Sequence, residues 1–394
     1  MNTNNHVRIF DTTLREGEQS TGFSMTMKGK LRMAKALSAL NVDVIEAGFA
    51  AASPGDFEAV QAIAEVADGP RVCSLARVTK SDIDKAYAAL SSAQVKRCHV
   101  FIGTSPTHRE FKLQLRKGEI LDRIEENVAY ARSLFDDVEF SAEDALRTER
   151  TFLAEAMRVA MDAGATTLNV PDTVGYTTPE EIYETFRYLI DHVEPGEGVV
   201  FSAHCHNDLG LAVANSLAAI RAGVRQIECT INGIGERAGN AAMEELVMAL
   251  RTRQSYFGVE TRIDTTRFYD TSRVLEDVTG EKVQRNKAIV GRNAFAHEAG
   301  IHQHGMLKNR DTYEIMRPED VGAPKSELVL GKHSGKHALF ARLEELGHEV
   351  DPSDSDVIFQ AFKALADERH EVTDEELRTL VAGASNRVVL SESA

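Results

Sequence analysis

The sequence predicts an α/β fold: a (β/α)8 TIM barrel followed by a small, mostly helical C-terminal region. Three observations carry this. Short strand-like runs alternate with helical segments eight times between Val7 and Arg253. Parallel strands need crossovers of that length, and eight such repeats close on themselves. No glycine-rich phosphate fingerprint follows the first run, which argues against a doubly wound open sheet.

The elements follow in order. Strands are predicted at Val7–Phe10, Val42–Ala47, Arg71–Leu75, Arg97–Ile102, Asp137–Ser141, Thr166–Val170, Val199–Ala203 and Gln226–Ile231. Helical spacing of apolar residues predicts crossovers at Lys28–Leu40, Asp56–Val66, Ser81–Leu90, Glu119–Phe135, Arg150–Ala163, Pro179–His192, Leu211–Ala222 and Ala241–Arg253. The barrel is expected to occupy residues 1–258. Residues 259–394 form a linker and helical subdomains, with a last helix over Asp354–Asp367 that shows Ile358, Phe359, Phe362 and Leu365 on one face.

Composition narrows the function classes. The chain has 394 residues, 43% hydrophobic and 27% charged, as an ordinary globular protein does. A net charge of -16 argues against a nucleic-acid surface but leaves room for a local basic pocket. Four cysteines (Cys73, Cys98, Cys205, Cys229) lie in or beside strand-like runs without CxxC spacing, so buried reduced thiols are expected. Residues 1–6 are polar with no apolar signal core, and no apolar stretch approaches membrane length, so a cytoplasmic protein is expected.

The chemistry concentrates where strands end, as it does at the C-terminal mouth of such barrels. Arg15 and Glu16 follow the first strand, Glu46 lies on the second, and Glu143 follows the fifth. Thr173 follows the sixth, and Asn232, Glu236 and Asn240 the eighth. The seventh ends in His204-Cys205-His206. Residues i and i+2 of a strand share a face, so both imidazoles can meet one divalent metal ion. A carboxylate, two imidazoles and an amide carbonyl would leave positions open for a substrate with two adjacent oxygens, such as a 2-oxo acid.

Several long motifs together resemble the 2-isopropylmalate synthase and homocitrate synthase family, metal-dependent enzymes that condense an acyl-CoA with a 2-oxo acid. They are Phe10–Gln19, His204–Gly210 and Asn232–Asn240, supported by Ala47–Phe49, Ser53–Phe57, Pro171–Tyr176 and Gly300–Gln303. The resemblance implies that Glu16, His204, His206 and Asn240 ligate the metal (Mg, Mn, Zn or Co). It implies that Arg15 stabilises the substrate's oxo or enolate oxygen and Thr173 holds its carboxylate. Glu143 and His302 would be the acid/base pair, supported by Tyr313. Two positions depart from the pattern of the 2-isopropylmalate synthases. Glu16 stands where Asp is usual, one methylene further from the backbone. His304 stands where Asp is commoner and adds a possible charge beside His302.

The resemblance further implies acetyl-CoA and 2-oxoisovalerate as substrates, and a homodimer in which His302 acts on the partner's barrel. Homocitrate synthase is the alternative suggested by Glu16. Against it, Leu75 and Glu139 stand at the positions expected to pair the distal carboxylate of 2-oxoglutarate, where basic residues are needed. Citramalate and longer 2-alkylmalate synthases are further alternatives. A non-catalytic, metal-free barrel is the rival from another class. Gly331–His337 reads equally as a coenzyme A phosphate contact or a solvated loop, and Asn232 and Glu236 as supports for the last turn. No complete regulatory domain fits in the residues after Leu380, so turnover without inhibition by leucine is expected.

Overall fold

A computed structural model describes residues 5–324, 327–328, 330–369 and 371–391; the side chains at 300, 301, 304, 307, 327, 328 and 383–391 lie outside the description. The expectation for His304 therefore falls outside the described side chains. Eight parallel strands close into a barrel in sequence order, with β1 bonded to both β2 and β8. They are β1 (Arg8–Asp11), β2 (Val44–Gly48), β3 (Arg71–Arg77), β4 (Lys96–Gly103), β5 (Val138–Glu143), β6 (Thr167–Asp172), β7 (Val200–Cys205) and β8 (Gln226–Cys229). The crossovers are α1 (Met27–Ala39), α2 (Pro54–Val66), α3 (Lys80–Ala89), α4 (Lys117–Leu134), α5 (Arg150–Asp162), α6 (Pro179–Val193), α7 (Ala212–Ala222) and α8 (Met243–Thr252).

The helix starts are written locally. Ser53 accepts from the Asp56 N–H ahead of Pro54, and Thr178 and Glu181 form a reciprocal cap around Pro179. Between strands and helices lies the apolar shell, with Ile63, Ile83, Val128, Phe186, Leu189 and Leu246 all buried. The lumen is different. Its inward positions carry Glu46, Arg97, His99, Glu139, Ser141, Asn169, Ser202, Gln226 and Glu228, all buried. Most of these groups pair with one another, as Arg97 does with Glu139 and Gln226 and His99 with Glu46 and Ser141.

The chain divides into two compact units, Met1–Val283 and Gln284–Ala394. The first therefore runs past the expected boundary at 258. After the one-turn helix α9 (Gln254–Phe257), helix α10 (Phe268–Thr279) packs on α1. Arg32 donates to Asp277 at 2.8 Å, and Ser272 donates to Asn232 at 2.8 Å. The second unit holds a two-stranded pair, β9 (Ala296–His297) and β10 (Glu327–Leu328). Its helices are α11 (Gly300–Lys308), α12 (Lys336–Glu345), α13 (Ser355–Glu368) and α14 (Asp374–Ser391). It is mostly helical, with its own core of Leu339, Leu343, Ile358, Phe362 and Leu377. All four cysteines are free and buried, and burial raises their thiol pKa values. Among the described residues no helix is long and apolar enough to cross a membrane.

Candidate metal and substrate site

The C-terminal mouth of the barrel opens into a cavity of about 350 Å³ lined by Arg15, Glu16, Glu143, Thr173, His204 and His206. Six of the predicted site residues thus share one chamber. Phe49, Leu75, Phe101 and Pro171 add apolar wall, and His99, Ser141 and Asn169 add polar wall.

His204 and His206 project inward from the end of β7 with their Nε2 atoms 3.1 Å apart. Glu16 Oε1 lies 3.6 Å from His206 Nε2, and one ligand atom from each of the three residues falls within 4.8 Å of the others. Burial and the neighbouring His204 push the His206 pKa down to about 2, so its ring is neutral with a lone pair to offer. Asn240 is bridged to His206, and its Nδ2 donates to the Ile234 carbonyl at 3.1 Å. Its Oδ1 is buried with no hydrogen-bond partner among the described residues. A carboxylate, two imidazoles and an unpartnered amide oxygen form a donor set that suits a divalent cation. The turn that brings Asn240 there depends on Gly235, where a Cβ would stand 2.1 Å from Asn240 Nδ2.

Behind these residues runs a buried relay. Glu46 accepts from Thr12 Oγ1 at 2.6 Å and from Arg15 Nε at 2.7 Å, and contacts His99 Nδ1 at 2.8 Å. Burial works against its charge, but Arg15 and His99 hold its carboxyl well below the usual range. Arg15 also pairs with Glu16, so one guanidinium bridges two carboxylates. His99 Nε2 meets Ser141 Oγ at 2.6 Å, and Asn169 donates to the same oxygen at 2.8 Å. Glu228 Oε2 sits 2.8 Å from His204 Nδ1, off the line that a hydrogen bond needs. Burial opposes its charge too, and His204 and His99 lower its pKa.

Glu143 is held from outside. A π-helical turn, His108–Leu113, brings Lys112 Nζ to both carboxylate oxygens at 2.7 and 2.8 Å, and His108 Nε2 to 3.6 Å. Thr173 Oγ1 accepts from the Asp144 N–H at 3.0 Å, which leaves its own hydrogen available for an anion in the cavity. Arg237 grips Asp208 through two bonds of 2.7 and 2.9 Å and donates to the Thr173 carbonyl, tying three mouth loops together.

The remaining expectations divide. Leu75 lines the cavity, but Glu139 does not. Glu139 is two positions nearer the start of β5 than Ser141, one inward layer deeper, where it accepts from Arg97 at 2.7 Å and Gln226 at 2.8 Å. Its placement opposite the substrate is corrected accordingly. Asn232 is a support, accepting from Ser272 and donating its N–H to Glu244, whereas Glu236 lines the cavity. His302 and Tyr313 meet in the second unit with ring centroids 4.4 Å apart, and Gly305 leaves room for the tyrosine ring. Lys332 and Lys336 are engaged by Asp367 and Asp356, and Ser334 folds the loop back on Gly331 and Glu298. His99, Asn169, Glu228 and Lys112 escaped the sequence reading. Strand parity could have found the first three, since they share the inward phase of Phe101, Pro171 and Thr230.

Known proteins resemble this chain along most of its length. Residues 6–275 match the family described as HMGL-like, and residues 289–370 match the homocitrate synthase post-HMGL domain-like family. The 2-isopropylmalate synthase of Aquifex aeolicus is 58% identical over 376 residues, 95% of this chain and 72% of that protein. That of Rhodopirellula baltica is 57% identical over 386 residues, covering 98% and 73% respectively. Among solved structures, the hydroxymethylglutaryl-CoA lyase of Pseudomonas aeruginosa superposes with a TM-score of 0.61 at 22% identity, over 72% of this chain and 96% of that one. That likeness concerns the fold.

Proposed function

This chain belongs to the 2-isopropylmalate synthases, and we infer that it condenses acetyl-CoA with 2-oxoisovalerate and water to give 2-isopropylmalate and free coenzyme A, a step of leucine synthesis. The observation that carries the choice of 2-oxo acid is that Leu75 and Pro171 share the cavity with Glu16, His204 and His206, while its Lys and Arg side chains are already paired. Arg15 is held by Glu46 and Glu16, Lys112 by Glu143, and Arg237 by Asp208. A branched aliphatic tail fits such a wall. A second carboxylate would go unpaired there at a cost of several kcal/mol.

Glu16, His204, His206 and Asn240 would hold a divalent metal ion. When bound it supplies Lewis acidity toward the 2-oxo group and orients it. Thr173 donates its hydroxyl hydrogen to the substrate carboxylate. Glu143 takes a proton from the acetyl methyl group, and the resulting carbon nucleophile attacks the 2-oxo carbon. Arg15 then offsets the negative charge that develops on the former oxo oxygen. Water attacks the thioester carbonyl and coenzyme A leaves as the thiol. His302, oriented by Tyr313, supplies and removes protons in these steps.

The working unit in this reading is a homodimer, with each His302 and Tyr313 serving the partner's barrel. Mixed dimers of His302→Ala and His204→Ala subunits should regain part of the activity that each lacks alone; no recovery in proven mixed dimers would refute the arrangement. The test of the reaction is thiol release across a series of 2-oxo acids with acetyl-CoA. We expect 2-oxoisovalerate to be turned over best and 2-oxoglutarate poorly. Fastest release with 2-oxoglutarate would assign homocitrate synthesis, and no release with any acid would assign a binding protein.

A further inference from the structure

A second cavity lies at the other end of the barrel, and it is basic. Its volume is about 510 Å³, and its wall includes His6, Arg8, Arg71, Arg225 and Arg262. Arg8 opens β1, Arg71 opens β3, and Arg225 directly precedes β8, so the cavity sits at the N-terminal ends of the strands. The metal and substrate residues lie at the opposite ends. Four arginines around one hollow are unexpected on a chain of net charge -16.

Arg225 is engaged by backbone, donating through Nη1 to the Ile220 and Val224 carbonyls at 3.2 and 2.8 Å, and the acids nearby do not balance the other three. Asp43 and Glu260 are the carboxylates of the wall. Asp43 is already engaged: one oxygen is 2.9 Å from His6 Nε2, and the other accepts the Ile9 N–H at 2.8 Å. Arg262 stands 4.0 Å from it. Arg71 reaches Asp137 at 2.8 Å, but must share it with Arg97 at 2.9 Å. Arg8 has no carboxylate within 4.0 Å among the described residues. Burial lowers its pKa, and like-charge repulsion from Arg97 and Arg71 adds to this, with Asp137 and Asp43 opposing from a distance. Cationic N–H groups in this state call for an anion.

We propose that this cavity binds a tetrahedral oxyanion, the phosphate group, either as free inorganic phosphate or carried on a small phosphorylated metabolite. Guanidinium forks match phosphate oxygens two at a time, which chloride cannot reproduce. The face opposite the chemistry otherwise reads as a stability face. A ligand there would clamp the starts of β1, β3 and β8 and raise stability by mass action.

The test is thermal unfolding and calorimetry of the full chain with orthophosphate or adenosine monophosphate, against chloride at matched ionic strength. Phosphate should raise the melting temperature saturably. Arg8→Gln should weaken binding by about tenfold or more, the worth of one charge-assisted hydrogen bond. Arg262→Gln should weaken it by roughly threefold, the share of one solvent-screened charge; this side chain is 70% exposed, so the variant tests the site even if Arg8→Gln does not fold. Arg15→Gln should leave the response intact. Tighter binding of adenosine monophosphate than of orthophosphate would assign a phosphorylated metabolite, and the reverse the free ion. No response beyond chloride would overturn the proposal. So would a response that survives both Arg8→Gln and Arg262→Gln and is lost in Arg15→Gln, which would place the anion in the catalytic cavity.

Discussion

Replacing Arg97 by methionine should be among the most costly changes in the barrel, and a second substitution should recover most of the loss. Arg97 is fully buried and donates to Asp137 at 2.9 Å, Glu139 at 2.7 Å and Gln226 at 2.7 Å. Asp137 keeps Arg71 at 2.8 Å when the guanidinium is gone. Glu139 keeps only the Gln226 amide at 2.8 Å among its hydrogen bonds and remains fully buried. Breaking a buried pair from one side costs about 3–5 kcal/mol. Spread over a unit of this size, that is roughly 5–8 °C in melting temperature. Burial already raises the Glu139 pKa, with Arg97 opposing the rise. Without Arg97 the folded state prefers the neutral acid more strongly. A carboxyl with a raised folded pKa loses stability as pH rises toward that value, so the deficit of Arg97→Met should grow from acid to neutral pH. Arg97→Met/Glu139→Gln removes the stranded charge and should retain a deficit of only about 1–2 kcal/mol from lost hydrogen bonds. Urea unfolding of wild type, both single variants and the double variant completes the cycle. A single-variant cost below about 1 kcal/mol, or a double variant as unstable as the summed singles, would refute the reasoning.

Three further outcomes are expected. His204→Ala should lose most bound metal by elemental analysis, and Glu228→Gln, which touches the far side of the same imidazole, should lower metal affinity about 10–100-fold while the fold stays intact; stoichiometric metal in His204→Ala would mean that the donor set is wrong. Leu75→Ala should shift kcat/KM toward a longer-chain 2-oxo acid by about tenfold or more, because it opens the apolar wall by several carbon atoms, and an unchanged ratio would remove Leu75 from the tail pocket. Asp11 is fully buried, and burial raises its pKa from 3.8 to about 7 against two hydrogen bonds from Thr13. Its folded state therefore binds the proton more tightly, and stability falls as pH rises from about 4 to 7, by at most ~4 kcal/mol. Asp11→Asn should flatten that slope in urea unfolding, and parallel pH curves for the two proteins would count against it.

The barrel was legible because its signals are local. Helical spacing in one segment, a cap such as Ser53 with Pro54, and a β-branched run need no distant partner to be read, and the observed strands and crossovers fall close to their expected bounds. Among the candidate site residues, a strand's own phase put His204 and His206 on one side, and motifs pointed to Arg15, Glu16, Glu143 and Thr173, which line the same cavity. The lumen was not legible, because its logic crosses the barrel. Arg97 lies on β4 and Gln226 on β8, four strands apart around an eight-stranded ring, so their 2.7 Å bond spans the interior. Likewise His99 on β4 meets Glu46 on β2 and Ser141 on β5. Nothing within a single strand marks such pairs. Glu139 was misplaced for that reason: neighbouring motifs put it near the substrate, whereas counting inward positions back from Glu143 and Ser141 puts it below. The first unit extends to Val283 for a related reason, since the fit of α10 on α1 joins segments far apart in sequence. A lumen built of charges also has a functional consequence. Arg15, Glu46, His99 and Glu228 link the metal residues to the barrel interior through hydrogen bonds and close charge contacts, so Glu16 and His204 are positioned by groups that cannot move without leaving a buried charge unpaired.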